Sequence, residues 1–238
     1  MPPVSRLRVC REGKPDCCQG IALSHNRANI RRMDAKTQKS EMTRAAIIGA
    51  GIDLAAADGL EAITLQAVAD RIGLSKSGVF SRIGSREALQ KAVIEEFGRR
   101  FIADVFVPAM QQPKGLPRLE AIVQRWIVRT RDVEAKSGCI YTAGAFELDD
   151  REGELRDALL SEITRWRAAL RRTVLQAVEA GHLKADTDAE QLVMEISSIA
   201  MGLLHDARFL RDPRAAERAQ ASWERLIKSY QTEAVTNK

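Results

Sequence analysis

The residues with the most suggestive chemistry lie between 64 and 86. Ser75-Lys76-Ser77-Gly78-Val79-Phe80-Ser81-Arg82 sets short hydroxyls, a glycine and two long cations around two apolar positions. Ser75, Ser77 and Ser81 can donate to phosphates or base edges, and Gly78 permits close approach to a duplex. Lys76 and Arg82 can reach phosphates or guanine. Thr64 and Gln66 open the preceding segment, where a helix N-terminus favours phosphate. Arg86 stands at the start of the following one. The chemistry implied is recognition of double-stranded DNA.

The elements that must position these groups are three short helical segments. Thr64 is the expected N-cap of the first, with Leu65, Val68, Ala69 and Ile72 facing inward until Gly73. Three residues later Ser75 caps a second helix, with Val79 and Ile83 on its buried side. Gly84 stops it, and Ser85 caps a longer helix through about 100. Two short helices joined by a three-residue turn that begins with Gly form a helix-turn-helix. A preceding helix, about 40–57, carries Ile48, Ile52, Ala55 and Ala56 on one stripe and ends at Asp58-Gly59.

Beyond Pro108, Pro113, Gly115 and Pro117 the pattern stays helical over about 117–135, 138–148, 151–180, 186–210 and 213–231. No segment has useful strand periodicity. The fold class is therefore all-α: an N-terminal three-helix DNA-binding domain with a helix-turn-helix, followed by a helical body, which the resemblance described below makes a ligand-binding and dimerisation domain. The boundaries are 1–38 as a disordered basic extension, 39–86 as the DNA-binding domain, 87–232 as the regulatory body and 233–238 as a tail.

Net charge is a weak guide. The chain carries +5 over 238 residues, but residues 1–33 alone hold seven basic side chains against Glu12 and Asp16, so the remainder is neutral. The local surplus is the useful one: Arg71, Lys76, Arg82, Arg86 and Lys91 against Glu87 between 71 and 91. The ordered pattern begins just after Met33, which fits an alternative start there. Cys10, Cys17, Cys18 and His25 match no usual zinc spacing, so no metal and no cofactor are expected. The lack of a long apolar run makes the cytoplasm the expected location.

An enzyme is disfavoured. Cys139 with His182 or His205 is a nominal nucleophilic set without a nucleophile motif around it, and there is no phosphate-loop or dinucleotide fingerprint.

The run Ile63-Thr64-Leu65-Gln66-Ala67-Val68-Ala69-Asp70-Arg71-Ile72-Gly73-Leu74-Ser75-Lys76-Ser77-Gly78-Val79-Phe80, followed by Gly84-Ser85-Arg86-Glu87-Ala88-Leu89, resembles the N-terminal domain of the tetracycline-repressor (TetR) family. Phe80 stands where that family most often has a phosphate-contacting Tyr, and Arg82 and Ile83 stand where it often has His and Phe. The segment from Gly138-Cys139-Ile140-Tyr141 to Phe146-Glu147-Leu148-Asp149-Asp150-Arg151 resembles the C-terminal domain of one branch of the family.

The resemblance implies a homodimeric transcriptional regulator, usually a repressor, released from its operator by a small-molecule effector. It also favours pairing of the last two helices between subunits. Leu192, Ile196, Ile199 and Leu203 on one, and Trp223 and Leu226 on the other, form stripes compatible with either a dimer interface or ordinary core. Candidate effector contacts are Trp126, Cys139, Phe146, Trp166, Met201 and His205, each also compatible with core. Cys139 beside Gly138 is either a thiol of lowered pKa that senses electrophiles or a small buried hydrophobe. The alternative is a DNA-binding protein whose body binds a protein partner or no effector.

Overall fold

The computed structural model describes residues 19–232, with side chains from residue 37 onward. Contacts divide the chain into two units, 1–43 and 44–238. The second unit holds every element after the first helix, which itself crosses the division. Among the described residues every regular element is a helix, and the one bridge of sheet type pairs Leu183 with Gln231.

Helix α1 spans Gln19–Asp58 and so begins well before the helix that periodicity predicts. Residues 19–38, expected as a disordered extension, fall within it. The cysteine cluster at 10, 17 and 18, the side chain of His25 and the tail 233–238 lie outside the described residues. Helices α2 (Leu65–Ile72), α3 (Lys76–Ile83) and α4 (Arg86–Phe101) follow a single 3-10 turn at Leu60–Ala62. The body contains α5 (Leu116–Arg129), α6 (Ile140–Glu147), α7 (Glu154–Glu179), α8 (Ala189–Leu204) and α9 (Ala215–Tyr230). Three π-helical turns extend α4, α5 and α8, at Ile102–Phe106, Thr130–Glu134 and His205–Phe209.

The caps form as their residue types dictate. Thr64 accepts from Ala67 N, Ser75 from Gly78 N and Ser85 from Ala88 N. Each satisfies a backbone donor that a helix start otherwise leaves free. Gly73 ends α2 in the left-handed conformation at φ 68, which opens the turn into α3.

Two apolar cores result. One gathers Ile47, Ile48 and Ala55 of α1, Val68 and Ala69 of α2, Val79 of α3, and Leu89, Val93 and Phe97 of α4. It also takes Ile140, Leu148 and Leu159, so the head's core continues past residue 86 into the body. The other is built from α5, α7, α8 and α9 around Leu119, Ile122, Leu170, Val174, Leu192 and Trp223.

This second core takes up most of the stripes that were compatible with either a dimer interface or ordinary core. Leu192, Ile196, Leu203 and Trp223 are almost fully buried inside their own chain, and Ile199 and Leu226 pack half-buried against them. Helix α8 must first close against α7 and α9, and its most apolar stripe is consumed there.

Candidate nucleic-acid interface and cavity

On the head, Gln66, Ser75, Lys76, Ser77, Phe80, Ser81 and Arg82 are exposed together, while Thr64, Gly78 and Arg86 are half-buried. Seven of the ten residues singled out for DNA thus share the open face of α2 and α3. Lys76 is exposed and has no hydrogen bond or ion pair among the described residues. Arg82 folds back and donates from Nη1 to Gly78 O at 2.9 Å and to Ser81 Oγ at 3.3 Å. Gln66 donates to Asp70 Oδ1 at 2.7 Å. Phe80 is 57% exposed. An apolar ring offered to solvent on this helix suits contact with a thymine methyl group in the major groove.

Arg86 is used differently from what its position suggests. Its Nε donates to Ile63 O at 3.0 Å, and Nη2 donates to Glu61 O at 2.6 Å and pairs with Glu61 Oε2 at 3.0 Å. The side chain straps the 60–63 turn onto α4 through Nε and Nη2, so part of its donor set serves the head itself, while Nη1 has no partner among the described residues.

The same turn is held from the body. Glu147, the last residue of α6, accepts from the backbone N–H of Leu60 and of Glu61, each at 2.8 Å. Gly59 has φ 91, and a Cβ there would lie 2.8 Å from Glu147 Oε2. Glycine is therefore needed twice over, for its backbone angle and for the approach of the carboxylate. Buried Gln90 completes the clasp by donating to Leu60 O at 2.9 Å.

Helices α4 to α8 line a cavity of about 180 Å³ that opens towards a neighbouring groove. Phe97 and Phe101 come from α4, Trp126 from α5, Tyr141 and Phe146 from α6, Trp166 and Arg167 from α7, and Ser197 and Met201 from α8. Phe101, Trp126 and Trp166 meet edge to face, with centroids 4.8–5.7 Å apart. That is the arrangement ring quadrupoles favour. Of the six effector contacts expected from sequence, Trp126, Cys139, Phe146, Trp166 and Met201 all line this cavity. His205 does not. It lines a neighbouring groove with Phe146 and Met201, and its Nδ1 lies 3.0 Å from Asp206 Oδ1.

One end of the cavity is closed by an ionic network. Arg129 lies over the rings of Phe97 and Phe101, 5.7 and 5.6 Å from their centroids. It donates from Nε to Glu134 Oε1 at 3.1 Å and from Nη1 to Asp104. Burial pushes the Glu134 carboxyl up from its usual range, against the lowering effect of Arg129. The neighbouring Cys139 thiol is pushed up to about 12, first by burial and then by the Glu134 charge. A thiol so disfavoured as thiolate is a poor nucleophile. Of the two readings of this half-buried thiol, its surroundings favour the small hydrophobe over the electrophile sensor.

Sequence reasoning missed Glu147, Arg129, Glu134 and Arg167. The partners of Glu147 and Arg167 lie in other elements, and the Arg129–Glu134 pair is five residues apart, outside the usual i,i+3 and i,i+4 helix spacings.

Residues 115–223 match the model of the tetracyclin repressor-like C-terminal domain. No curated protein matches the chain. A TetR transcriptional regulator from Chloroflexus aurantiacus shares the fold with a TM-score of 0.70 and 22% identity, over 82% of this chain and 98% of that one. A TetR-family regulator from Cytophaga hutchinsonii does so with a TM-score of 0.69 and 18% identity, over 82% and 98%. AibR, in a structure with isovaleryl coenzyme A and operator DNA, gives a TM-score of 0.57 and 19% identity over 68% and 85%. The chain thus has the fold of these TetR-family structures, and its residues 115–223 are similar to the C-terminal domain of tetracyclin repressor-like proteins. No helix among its described residues is long and apolar enough to cross a membrane.

Proposed function

We propose that this chain is a homodimeric transcriptional repressor whose body binds a small-molecule effector in the five-helix cavity and then releases operator DNA. The observation that carries the reading is the double duty of α6. Tyr141, Thr142, Ala145 and Phe146 line the cavity, and the next residue, Glu147, holds the backbone of the turn that leads into α2. A ligand that displaces α6 thus acts on the helix-turn-helix through one short rigid element. Helix α4 gives a second link, since Ser85 caps it beside α3 and Phe97 and Phe101 reach the cavity.

In this two-state scheme the effector binds better to the arrangement in which the two heads are out of operator spacing. Dimerisation is assigned to the outward stripe of α8, where Gln191, Met194, Ser198, Met201 and Gly202 are exposed. The partners are double-stranded operator DNA, one effector and a second copy of the chain. AibR, bound to isovaleryl coenzyme A and operator DNA, is a precedent within the fold for both kinds of ligand.

Sequencing of genomic DNA captured by the full-length protein tests the reading. The expected product is a palindrome whose half-sites lie about one helical turn apart. Capture of an asymmetric single half-site would sink the dimer. A protein that holds its operator unchanged in every small-molecule fraction of the source cells would favour a body that binds a protein partner or no effector.

A further inference from the structure

We infer that the effector is a small aromatic carboxylate, its ring in the Phe101–Trp126–Trp166 corner and its acid group on Arg167 and Ser197. The inference rests on the effector reading above and names the chemistry of that same cavity.

Size sets the first limit. A cavity of about 180 Å³ is close to the roughly 150 Å³ that accommodates benzene in an engineered apolar cavity. One ring with a short arm fits this space, whereas most drug-sized ligands occupy several hundred Å³. Shape sets the second. Phe101, Trp126 and Trp166 are mutually perpendicular, at interplanar angles of 83–86°. A flat ring inserted among them finds edges and faces together, an environment that favours an aromatic guest over a branched aliphatic one.

Charge sets the third. Two ionisable side chains on the cavity wall carry opposite formal charges, Glu134 and Arg167. Glu134 is already held by Arg129 Nε and by Thr130 Oγ1, at 3.1 and 3.3 Å. Arg167 has no carboxylate partner among the described residues. It reaches only Ser197 Oγ, at 3.5 Å, the outer limit for a hydrogen bond. A half-buried guanidinium with a hydroxyl beside it, both on the cavity wall, is a site for a bidentate carboxylate. Trp166 adds a buried indole N–H without an acceptor among the described residues. A ligand oxygen reaching the ring edge would satisfy that donor.

The test titrates the full-length protein with benzoate and phenylacetate, with their neutral amides, and with benzylamine. Quenching of tryptophan fluorescence reports binding, and operator affinity is read by anisotropy in the same samples. The carboxylates are expected to bind about tenfold or more tighter than the amides, and to weaken the DNA complex. In R167Q that preference is expected to vanish while the circular dichroism spectrum and effector-free operator affinity stay as in the parent. Equal binding of acid and amide, tightest binding of benzylamine, or an acid preference that survives in R167Q would each overturn the inference. So would the absence of quenching by every compound. The effector reading itself falls only if small-molecule extracts of the source cells also leave the DNA complex intact.

Discussion

Glu147 and Leu60 are 87 residues apart in sequence, yet the Glu147 carboxylate accepts from the Leu60 backbone N–H at 2.8 Å. A second bond to Glu61 N makes the contact bidentate, and it joins the body to the head just ahead of α2. Replacing Glu147 by Ala leaves two backbone donors without this acceptor. Hydrogen bonds to a charged partner contribute about 1.5–3 kcal/mol each, and the lower end suits this half-exposed turn. E147A is expected to lower the melting temperature and, separately, to reduce the effector-induced change in DNA affinity. A variant that loses stability but keeps the full effector response would show that α6 does not transmit the signal.

Lys76 and Arg86 should part company in a salt titration. Lys76 is exposed and spends no donor on another described residue, so K76A should weaken DNA binding across sequences. The slope of log affinity against log salt should fall by about 0.9 per head. Arg86 straps Glu61 and Ile63 to α4. R86A should instead cost about 1–2 kcal/mol in unfolding free energy, a figure reduced for its partial exposure. Its salt slope should stay near that of the parent. A slope change in R86A as large as in K76A would return Arg86 to the phosphate backbone.

Acid should act through Glu96. Its carboxylate accepts from Arg99 and Arg100, and the bond to Arg99 is the main cause that lowers its pKa from 4.5 to about 2. The unfolded chain takes up this proton first as pH falls. The stabilisation is therefore complete above about pH 4.5 and is lost as pH falls towards about 2. Because Arg99 and Arg100 are largely exposed, the effect should be about 1 kcal/mol. E96Q should be less stable than the parent at pH 7 by that amount and equal to it near pH 2. Parallel unfolding curves for the two proteins across that range would contradict the assignment.

How much the sequence disclosed depends on the range of the interactions. Thr64, Ser75 and Ser85 each cap a helix by bonding to a backbone N–H three residues on, so residue type and spacing suffice to find them. The head was legible for that reason. Glu147 has no such local sign, because its partners belong to a turn formed much earlier in the chain. Cys139 was ambiguous because the thiol's pKa is set by Glu134 and by burial, neither of which spacing reveals. In α8 the 3.6-residue period finds an apolar stripe but cannot say whether the chain's own core or a second subunit covers it. Here the core does.

That distinction supplies a contrast between two neighbours in α8. Leu192 is fully buried in its own chain, whereas Met194 is 52% exposed on the outward stripe. L192A empties part of a packed core and should cost about 2–5 kcal/mol in unfolding free energy, whatever the oligomeric state. M194K leaves the core intact but places a cation against its symmetry mate if a two-fold axis passes over this face. It should shift sedimentation towards the monomer and weaken operator binding, because a lone head has half of the contacts. The circular dichroism spectrum should keep its helical content. Should M194K sediment and bind DNA as the parent does, the subunits pair through some other surface.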